Sequence, residues 1–430
     1  AALGGDTLGS RSTAIGHGAL FAQNFTTATD TYNVAVGYQA GVAVTTGVRN
    51  TLIGGLAGDA ITDADFNVAV GFQALGINTV GSGSVAVGSE ALQGQNPATA
   101  VTMYNVAVGH NAGYSVSTGV RNSIVGGIAG DSLTVGGNNV SMGYASLSAD
   151  TQGSGSVAIG AGALNVQNFT TATTTYNTAV GLDAGKAVTT GINNTFVGAL
   201  AGDATDNGND NVAVGVSALS ANCGNQNTAV GNSAGVLITG AENTCFGHGA
   251  GESITSGTQN ICIGHDAGSN QVSTGSGLLF IARTGAAAGN DNCFIHGGAT
   301  GSCIQGDNAT TWTQTSDQRI KKNIVDYDKG LTEINQLQIR NFEYRTFEEL
   351  DDDVAALNSG KGLNVIERSG VQTGVIAQEI QQVFPADVKE MYDGTLTVTS
   401  NETNWALIKA VQELSTALDA ALARIATLEG

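Results

Sequence analysis

Proline, aromatic side chains and charged groups are all scarce in this sequence. Of its 430 residues, 2 are proline, 5% are aromatic and 12% are charged, whereas 62 are glycine. Abundant glycine without proline, and without glycine at every third position, excludes a collagen-like chain. Because 41% of the residues are hydrophobic, simple disorder is excluded as well. What remains is a folded chain built largely from small residues.

Positive charge is also in short supply. The chain has 16 basic and 36 acidic residues, which gives a formal charge of −20. Residues 1–315 contribute 5 basic and 17 acidic side chains, and residues 316–430 contribute 11 and 19. Since both parts are acidic, no nucleic-acid partner is expected. No apolar run is long enough to predict a membrane span, so no membrane insertion is expected either.

The spacing of the cysteines does not match a disulfide framework or a metal-binding motif. There are 5, an odd number, and no two are spaced as C-x-x-C. Cys245 and Cys262 each stand two residues after a repeated asparagine, where most repeats have alanine. We therefore interpret them as small apolar core residues. The sequence predicts no metal site and no cofactor.

Other candidate ligands have simpler explanations. Histidines follow a repeated glycine at positions 17, 110, 248 and 265. Three chains could stack such histidines into a metal site, but we favour a surface or turn role. Residues 203–208 begin like an EF-hand loop, yet Val214 stands where that loop needs glutamate. The sequence also lacks an aromatic-rich platform for sugars.

The chain before residue 277 is repetitive. The unit is N-x-A-x-G, as in N-V-A-V-G at residues 33–37, followed by a small residue or two and then Ala-Gly or Ala-Leu. Most units follow one another at an even spacing, but a wider gap separates Ser84 from the next asparagine, Asn105, because a loop is inserted. The serines at positions 12, 84 and 156 are evenly spaced in turn. This superperiod indicates that a block of four units was duplicated.

A period of ~17 residues is too short for helical hairpins and predicts a β-solenoid. Val34 and Val36 alternate with Ala35, which is strand periodicity. Glycine and asparagine at fixed offsets are typical of tight turns with positive φ. About seventeen stacked turns at ~4.8 Å each predict a rod of roughly 80 Å. The repeats resemble the heads of trimeric bacterial adhesins, which form left-handed β-rolls.

The junction with ordinary globular sequence reads S-D-Q-R-I-K-K-N-I, at residues 316–324. A serine hydroxyl needs an adjacent base to act as a nucleophile, and a neutral lysine can supply it. Ser316 and Lys321 are close enough for one local turn to bring them together. The alternative is that Ser316 or Asp317 caps a helix while the basic residues after it are solvated. On spacing alone we favour the cap.

The junction resembles the start of the intramolecular chaperone domain of bacteriophage tail fibres and tailspikes, whose pattern is S-D-x-R-x-K-x-N-I. Three later stretches resemble the same family in order. They are L-Q-I-R-N-F-E-Y at residues 337–344, T-G-V-I-A-Q-E-I-Q-Q-V-F at residues 373–384, and the closing helix from Trp405. The resemblance covers residues 316–430. It implies a domain that trimerises the fibre in front of it and then cuts itself off before the motif serine.

Carried over to this sequence, the resemblance implies cleavage of the Thr315–Ser316 bond. It makes Ser316 the nucleophile and Lys321 its base, in a serine peptidase that turns over once. The mature fibre is not expected to be an enzyme. Three further residues match the motif without an assigned role: Asp317, Arg319 and Asn323.

The spacing of apolar and charged residues predicts the secondary structure of the rest of this domain. We predict a helix over residues 328–337, a strand over 339–347, a charged excursion over 350–361, an extended-then-helical stretch over 373–383 and a strand over 395–399. Spacings that alternate between four and three predict a coiled coil over residues 405–429. Such a seam needs partner chains, and the resemblance implies three. Its positions are Leu407, Val411, Leu414, Leu418, Ala421, Ile425 and Leu428.

The predicted fold is a mainly β, homotrimeric β-solenoid or β-roll of ~17-residue turns, followed by a small α+β chaperone domain that ends in a trimeric coiled coil. The predicted parts are a fibre shaft (residues 1–276), a tip and junction (277–315) and the self-processing chaperone (316–430). The sequence starts within a repeat and without methionine, so we expect a longer protein whose missing N-terminal part joins other phage tail proteins.

The predicted function is that of a phage tail fibre that attaches to a host-surface receptor, either a glycan or an outer-membrane component. The alternatives are a bacterial trimeric surface adhesin and a polysaccharide-degrading tailspike. Trp312 near the tip is a candidate receptor contact, although packing in a three-fold core is the favoured role for it. Inserted loops at residues 21–32, 93–104 and 167–176 are the other candidates. The protein is expected in the virion, after assembly in the host cytoplasm.

Overall fold

A computed structural model describes residues 1–269, 274–282, 293–297, 303–305, 322–345, 370–390 and 396–429. The chain divides into two compact units, Ala1–Trp312 and Thr313–Gly430. The first unit holds the repeats and the second holds the helices. The boundaries predicted from the sequence, at residues 276 and 315, stay predictions.

One row of parallel strands runs through the repeats, with one strand to each turn. Neighbouring strands pair in register, so that Leu52 lies between Ala35 and Ala69 of the adjacent turns. Within the described residues the row has sixteen parallel strands, against about seventeen predicted turns, and the predicted β-solenoid is confirmed. The strands are Thr13–Ile15, Val34–Val36, Thr51–Ile53, Val68–Val70, Val85–Val87, Val106–Val108, Ser123–Val125, Val140–Met142, Val157–Ile159, Thr178–Val180, Thr195–Val197, Val212–Val214, Thr228–Val230, Thr244–Phe246, Ile261–Ile263 and Leu279–Ala282.

Two further kinds of strand pairing accompany this row of parallel strands. At its C-terminal end the last parallel strand pairs antiparallel with Cys293–Gly297, which pairs antiparallel with Cys303–Gln305. The three turns that begin at Ser12, Ser84 and Ser156, which we call the long turns, each add a short parallel pair beside the row. Their inserted loops are therefore not simple loops. These pairs join Gly9–Ser10 to Thr29–Asp30, Gly81–Ser82 to Val101–Thr102, and Gly153–Ser154 to Thr173–Thr174.

The central residue of each strand points into a narrow core. Most turns place alanine there, and alanines such as Ala35 and Ala69 are fully buried. Where the central residue is large, glycine on a neighbouring corner makes room. A side chain at Gly58 would come within 2.8 Å of Leu52, and one at Gly202 within 2.5 Å of Phe196. Residue sizes around the coil are therefore matched turn by turn.

Cys245 and Cys262 occupy the same central position in adjacent turns, and both are fully buried. They fill the core in place of alanine, as the sequence predicted. The hydrogen bond between the two thiols and their burial raise the pKa of Cys245 above its ordinary value. Cys245 therefore serves as a packing group rather than a nucleophile.

The repeated asparagines form a row inside the coil, interrupted by serine at the long turns, which we call the asparagine row. Asn122 is typical: its Oδ1 accepts the backbone N–H of Asn139 at 3.0 Å, and its Nδ2 donates to the carbonyl of Gly136 at 2.9 Å. Both partners belong to the next turn. A typical carboxamide of the row therefore satisfies two backbone groups that water cannot reach. The members, all at most 1% exposed, are Asn33, Asn50, Asn67, Asn105, Asn122, Asn139, Asn177, Asn194, Asn211, Asn227, Asn243 and Asn260.

This arrangement corrects the predicted role of asparagine as a residue with positive φ. The residue before each row member takes that conformation instead, such as Arg121 with φ +59° in front of Asn122. The chain therefore bends sharply just before each strand. The asparagine that follows is left with its side chain turned inward. The sequence pattern predicted a turn-forming role for the repeated asparagine, whereas its main role is buried hydrogen bonding.

Serine replaces asparagine at the start of the long turns, and a glutamine compensates for the shorter side chain. Gln95 Oε1 accepts from Ser84 Oγ at 3.1 Å and from Asn105 Nδ2 at 3.0 Å. Gln167 Oε1 likewise accepts from Asn177 Nδ2 at 2.9 Å. Both glutamines are fully buried. In each of these two insertions, the carboxamide oxygen of the glutamine thus bonds the next asparagine of the row.

The C-terminal unit is a small α+β fold. Its helices are α1 (Leu331–Ile334), α2 (Ala377–Val383) and α3 (Asn401–Glu429), with a single 3₁₀ turn at Pro385–Asp387 among the described residues. Arg340–Phe342 pairs antiparallel with Gln372–Gly374, and Val388–Glu390 with Leu396–Val398. The helix and strand predicted over residues 328–337 and 339–347 are therefore shorter than expected. The charged excursion at 350–361 lies outside the described residues.

Candidate functional site

The predicted catalytic residues lie outside the part of the chain that the structure describes. This applies to Thr315, Ser316 and Lys321, and equally to Trp312. Two of the motif-supporting residues, Asp317 and Arg319, also lie outside the described residues. The described chain resumes at Lys322, which is exposed, and Asn323, whose φ of +55° is in the left-handed region. The geometry of the dyad therefore stays a prediction, and the fold that follows it can be described.

A compact apolar cluster supports the chain after the motif. Ile380, Phe384 and Ala406 are almost fully buried, and Tyr327 packs against them from the segment that follows the motif. Lys329 reaches the same region: its Nζ donates to Glu402 Oε2 at 3.0 Å and to the Val383 carbonyl at 3.3 Å. The segment after the motif is thus held against α2 and the start of α3.

Asp387 joins the end of the 3₁₀ turn to the N-terminus of α3. Its carboxylate accepts the backbone N–H groups of Glu402 and Thr403, each at 2.8 Å, and the Thr403 hydroxyl at 2.7 Å. Asp387 is fully buried. Because the cap comes from across the fold, α3 begins at Asn401, ahead of the predicted start at Trp405. The sequence analysis missed this residue, since nothing local marks it as a cap.

The acidity of Asp387 reflects this cap. Burial alone would raise the pKa of the carboxyl, but the hydrogen bonds from Thr403 and Glu402 together outweigh it. The pKa of Asp387 therefore lies below its ordinary value. A second contact ties α1 to α3, because Glu413 Oε2 accepts the backbone N–H of Leu331 at 2.9 Å.

The long helix α3 presents its predicted seam to solvent. Leu414 and Leu418 are 51% and 59% exposed, whereas Ala406 and Ala410 on another face are buried against the domain. A row of exposed leucine, valine and isoleucine side chains is costly for a lone chain in water. None of the described helices is apolar enough over sufficient length to cross a membrane.

Residues 316–389 match the chaperone of endosialidase family. The match begins at the motif serine and ends within the strand that follows Asp387. It confirms the predicted resemblance for this part of the chain, and it implies the self-cleaving, intramolecular chaperone activity of that family. The comparisons with curated proteins and with solved structures found no match.

On the repeats, the residues that precede the asparagines of the row, or the serine that replaces asparagine at Ser12, form an exposed column, and each has a positive φ. We call the stretch Arg11, Tyr32, Arg49 and Phe66 the arginine–aromatic column. The guanidinium carbon of Arg11 lies 5.3 Å from the centre of the Tyr32 ring, and that of Arg49 lies 5.1 Å from the centre of the Phe66 ring. All four side chains are exposed. The sequence analysis found no such aromatic surface, because its members belong to different turns and are far apart in the chain.

Replacing Asp387 by asparagine should destabilise the C-terminal unit at neutral pH. Asparagine cannot accept with both side-chain heteroatoms, so one buried donor on α3 loses its partner, at a cost of about 1–3 kcal/mol. The stability advantage of the wild type over Asp387→Asn should shrink as the pH falls from ~4 through the lower pKa that Asp387 has in the folded state. The reason is that the unfolded state takes up this proton at a higher pH than the folded state does. Urea unfolding followed by circular dichroism at 222 nm measures both effects.

Exposed Asp326 provides the control, since Asp326→Asn should leave the unfolding curve at neutral pH unchanged. Equal stability of Asp387→Asn and wild type at pH 7 would show that the cap contributes nothing.

Proposed function

We propose that this protein is a phage tail fibre that attaches to the host surface and is trimerised by a self-cleaving C-terminal chaperone. The observation that carries the proposal is the family match that starts at Ser316, which follows the stacked β-solenoid in the sequence. A rod of stacked turns is suited to spanning distance and presenting repeated contacts. A domain that removes itself has a use only where assembly, and not the finished product, needs it.

In the proposed reaction, neutral Lys321 Nζ takes the proton from Ser316 Oγ, and that oxygen attacks the Thr315 carbonyl carbon. Collapse of the tetrahedral intermediate breaks the Thr315–Ser316 C–N bond, and the nitrogen leaves as the new amino terminus after protonation by Lys321. The ester formed between Thr315 and Ser316 Oγ is then hydrolysed by one water molecule. This step regenerates the serine hydroxyl and leaves Thr315 with a carboxylate. Because the reacting groups are neighbours in one chain, proximity supplies much of the rate.

Trimerisation through α3 fits its exposed seam. More than half of each side chain is exposed at Leu407, Val411 and Leu414. These residues and the seam positions after them repeat with coiled-coil spacing. Association of three such helices would bury this surface and raise the local concentration of the three solenoid ends. Cleavage afterwards would remove the reverse route and leave the fibre kinetically trapped.

The arginine–aromatic column is our candidate host contact on the shaft. Of the 5 basic residues in residues 1–315, Arg11, Arg49 and Arg121 stand in the column position, on an otherwise acidic surface. Guanidinium groups beside exposed rings can contact the faces and acidic groups of surface glycans. The insertions beside the column add exposed Tyr104 and Tyr176 in the same position. This arrangement favours attachment along the side of the shaft.

Intact mass of the freshly expressed protein tests the processing step. Wild type should give two fragments that meet between Thr315 and Ser316, whereas Ser316→Ala and Lys321→Ala should stay whole because each removes one half of the dyad. Lys322→Ala is the matched control and should cleave like wild type. Native mass spectrometry of the uncleaved Ser316→Ala protein should show three copies. A wild-type protein that stays whole under native conditions would contradict the dyad.

Adsorption of labelled protein to a panel of bacterial strains tests the contact surface. On strains that bind wild type, Arg49→Ala should weaken adsorption at least about fivefold, because arginine contacts at binding surfaces often dominate affinity. Lys186→Ala is the control, since Lys186 is an exposed repeat cation that does not precede a member of the asparagine row. Equal loss from both substitutions would indicate a general charge effect and contradict a specific contact.

A further inference from the structure

Two histidines and an aspartate meet near the C-terminal end of the parallel row. His248 and His265 directly follow the repeated glycine of adjacent turns, and their rings stack with centroids 4.9 Å apart and planes 9° apart. The carboxylate of Asp266 reaches both of them. Its oxygens lie 3.5 Å from His248 Nδ1 and 3.2 Å from His265 Nδ1. One ligand atom from each of the three residues therefore lies within 4.8 Å of the other two.

The backbone on this corner leaves space for the cluster. Gly249, which follows His248, has φ +61°, and a Cβ at that position would come within 2.2 Å of Asp266 Oδ1. The same Cβ would lie 3.2 Å from Glu252 Oε2. Two carboxylates thus border the gap that glycine leaves beside the stacked rings. The two other histidines that follow the repeated glycine have no histidine at the same position of an adjacent turn. His17 stacks on Tyr38 instead. His110 has serine at this position in the turn before it and glycine in the turn after it.

We propose that His248, His265 and Asp266 bind a divalent transition metal ion of the zinc class, with Glu252 as a neighbouring carboxylate. Two imidazoles and one carboxylate are a donor set that suits zinc, copper or nickel far better than calcium or magnesium, which prefer oxygen ligands alone. This inference departs from the sequence-based expectation that the chain holds no metal. It also stands apart from the proposed self-cleavage and host attachment.

The distances suit capture of an ion after a small movement. Zinc binds imidazole nitrogen at ~2.0–2.1 Å, and in a tetrahedral site two ligand atoms lie roughly 3.4 Å apart. The distances of 3.5 Å and 3.2 Å from Asp266 to the two imidazoles already fit this separation. The two rings must turn out of their parallel stack so that one nitrogen of each points at the ion. Both histidine side chains are more than half exposed. They can therefore turn toward the ion without disturbing the core.

A bound ion would link successive turns. His248 lies just after the strand Thr244–Phe246, and His265 just after Ile261–Ile263. The next strand of the row, Leu279–Ala282, is the last parallel one, and antiparallel pairing begins on its far side. An ion here would clamp the coil close to the point where stacking ends. Its binding energy would then add to the stability of the folded turns.

Calorimetric titration of zinc into the full-length protein, produced without a histidine tag, tests the site. Wild type should bind one ion per chain. His248→Ala and Asp266→Asn should each weaken that binding at least about tenfold, because each removes one of only three ligands. His110→Ala should change it less than about twofold. Cys262→Ala, which places the alanine common to most turns in the core, should also retain binding.

Electron paramagnetic resonance of the copper(II)-loaded protein gives a readout that stability alone would not move. Wild type should show coupling to two imidazole nitrogens, and His265→Ala to one. The proposal is overturned if zinc does not bind, if His248→Ala binds as tightly as wild type, or if His110→Ala loses binding to the same extent. Unchanged circular dichroism of the variants establishes that any loss is local.

Discussion

The repeat unit depends on one buried interaction, the pair of hydrogen bonds that a row asparagine makes from its side chain to the next turn. Because the centre of most strands is alanine, the strand row itself buries little apolar area, and packing alone specifies its register weakly. The asparagine row specifies it strongly, because a shifted turn would leave buried N–H and C=O groups without partners. The long turns keep a carboxamide oxygen at this point. Where serine replaces asparagine, the Oε1 of buried Gln95 or Gln167 accepts from the side chain of the next asparagine of the row.

The two units solve different problems. Once a first turn is aligned, the asparagine row extends the coil one turn at a time, but nothing in a repeat identifies which turn is first. In the proposed trimer, alignment of the chains would be the slow step, since loop-closure entropy opposes contacts between distant segments. In the proposed assembly, the C-terminal unit would provide that fixed start. Asp387 anchors α3 to the rest of that unit, so association through α3 would bring the whole domain, and the chain before it, into place.

Much of the architecture could be predicted from spacing. The repeat period, the parallel strands, the cysteines in alanine positions and the extended-then-helical stretch over residues 373–383 all follow from local patterns. Features made by residues distant in sequence could not. Asp387 caps a helix that begins only at Asn401, and Arg49 and Phe66 meet only because the coil brings successive turns together. The role of asparagine was misassigned for the same reason, since its partners lie in the following turn. The dyad at Ser316 and Lys321 rests on the motif and the family match.

The most direct test of this account is the unfolding free energy of Asn122→Ser, measured by urea denaturation beside wild type and Asn232→Ser, an exposed control. Serine occupies the row position naturally at Ser84, but only in a long turn that supplies Gln95. In the shorter turn of Asn122 no glutamine takes over, and we predict a loss of about 1–3 kcal/mol with the control unchanged. If Asn122→Ser is as stable as wild type, the asparagine row does not set the register, and packing of the core must do so instead.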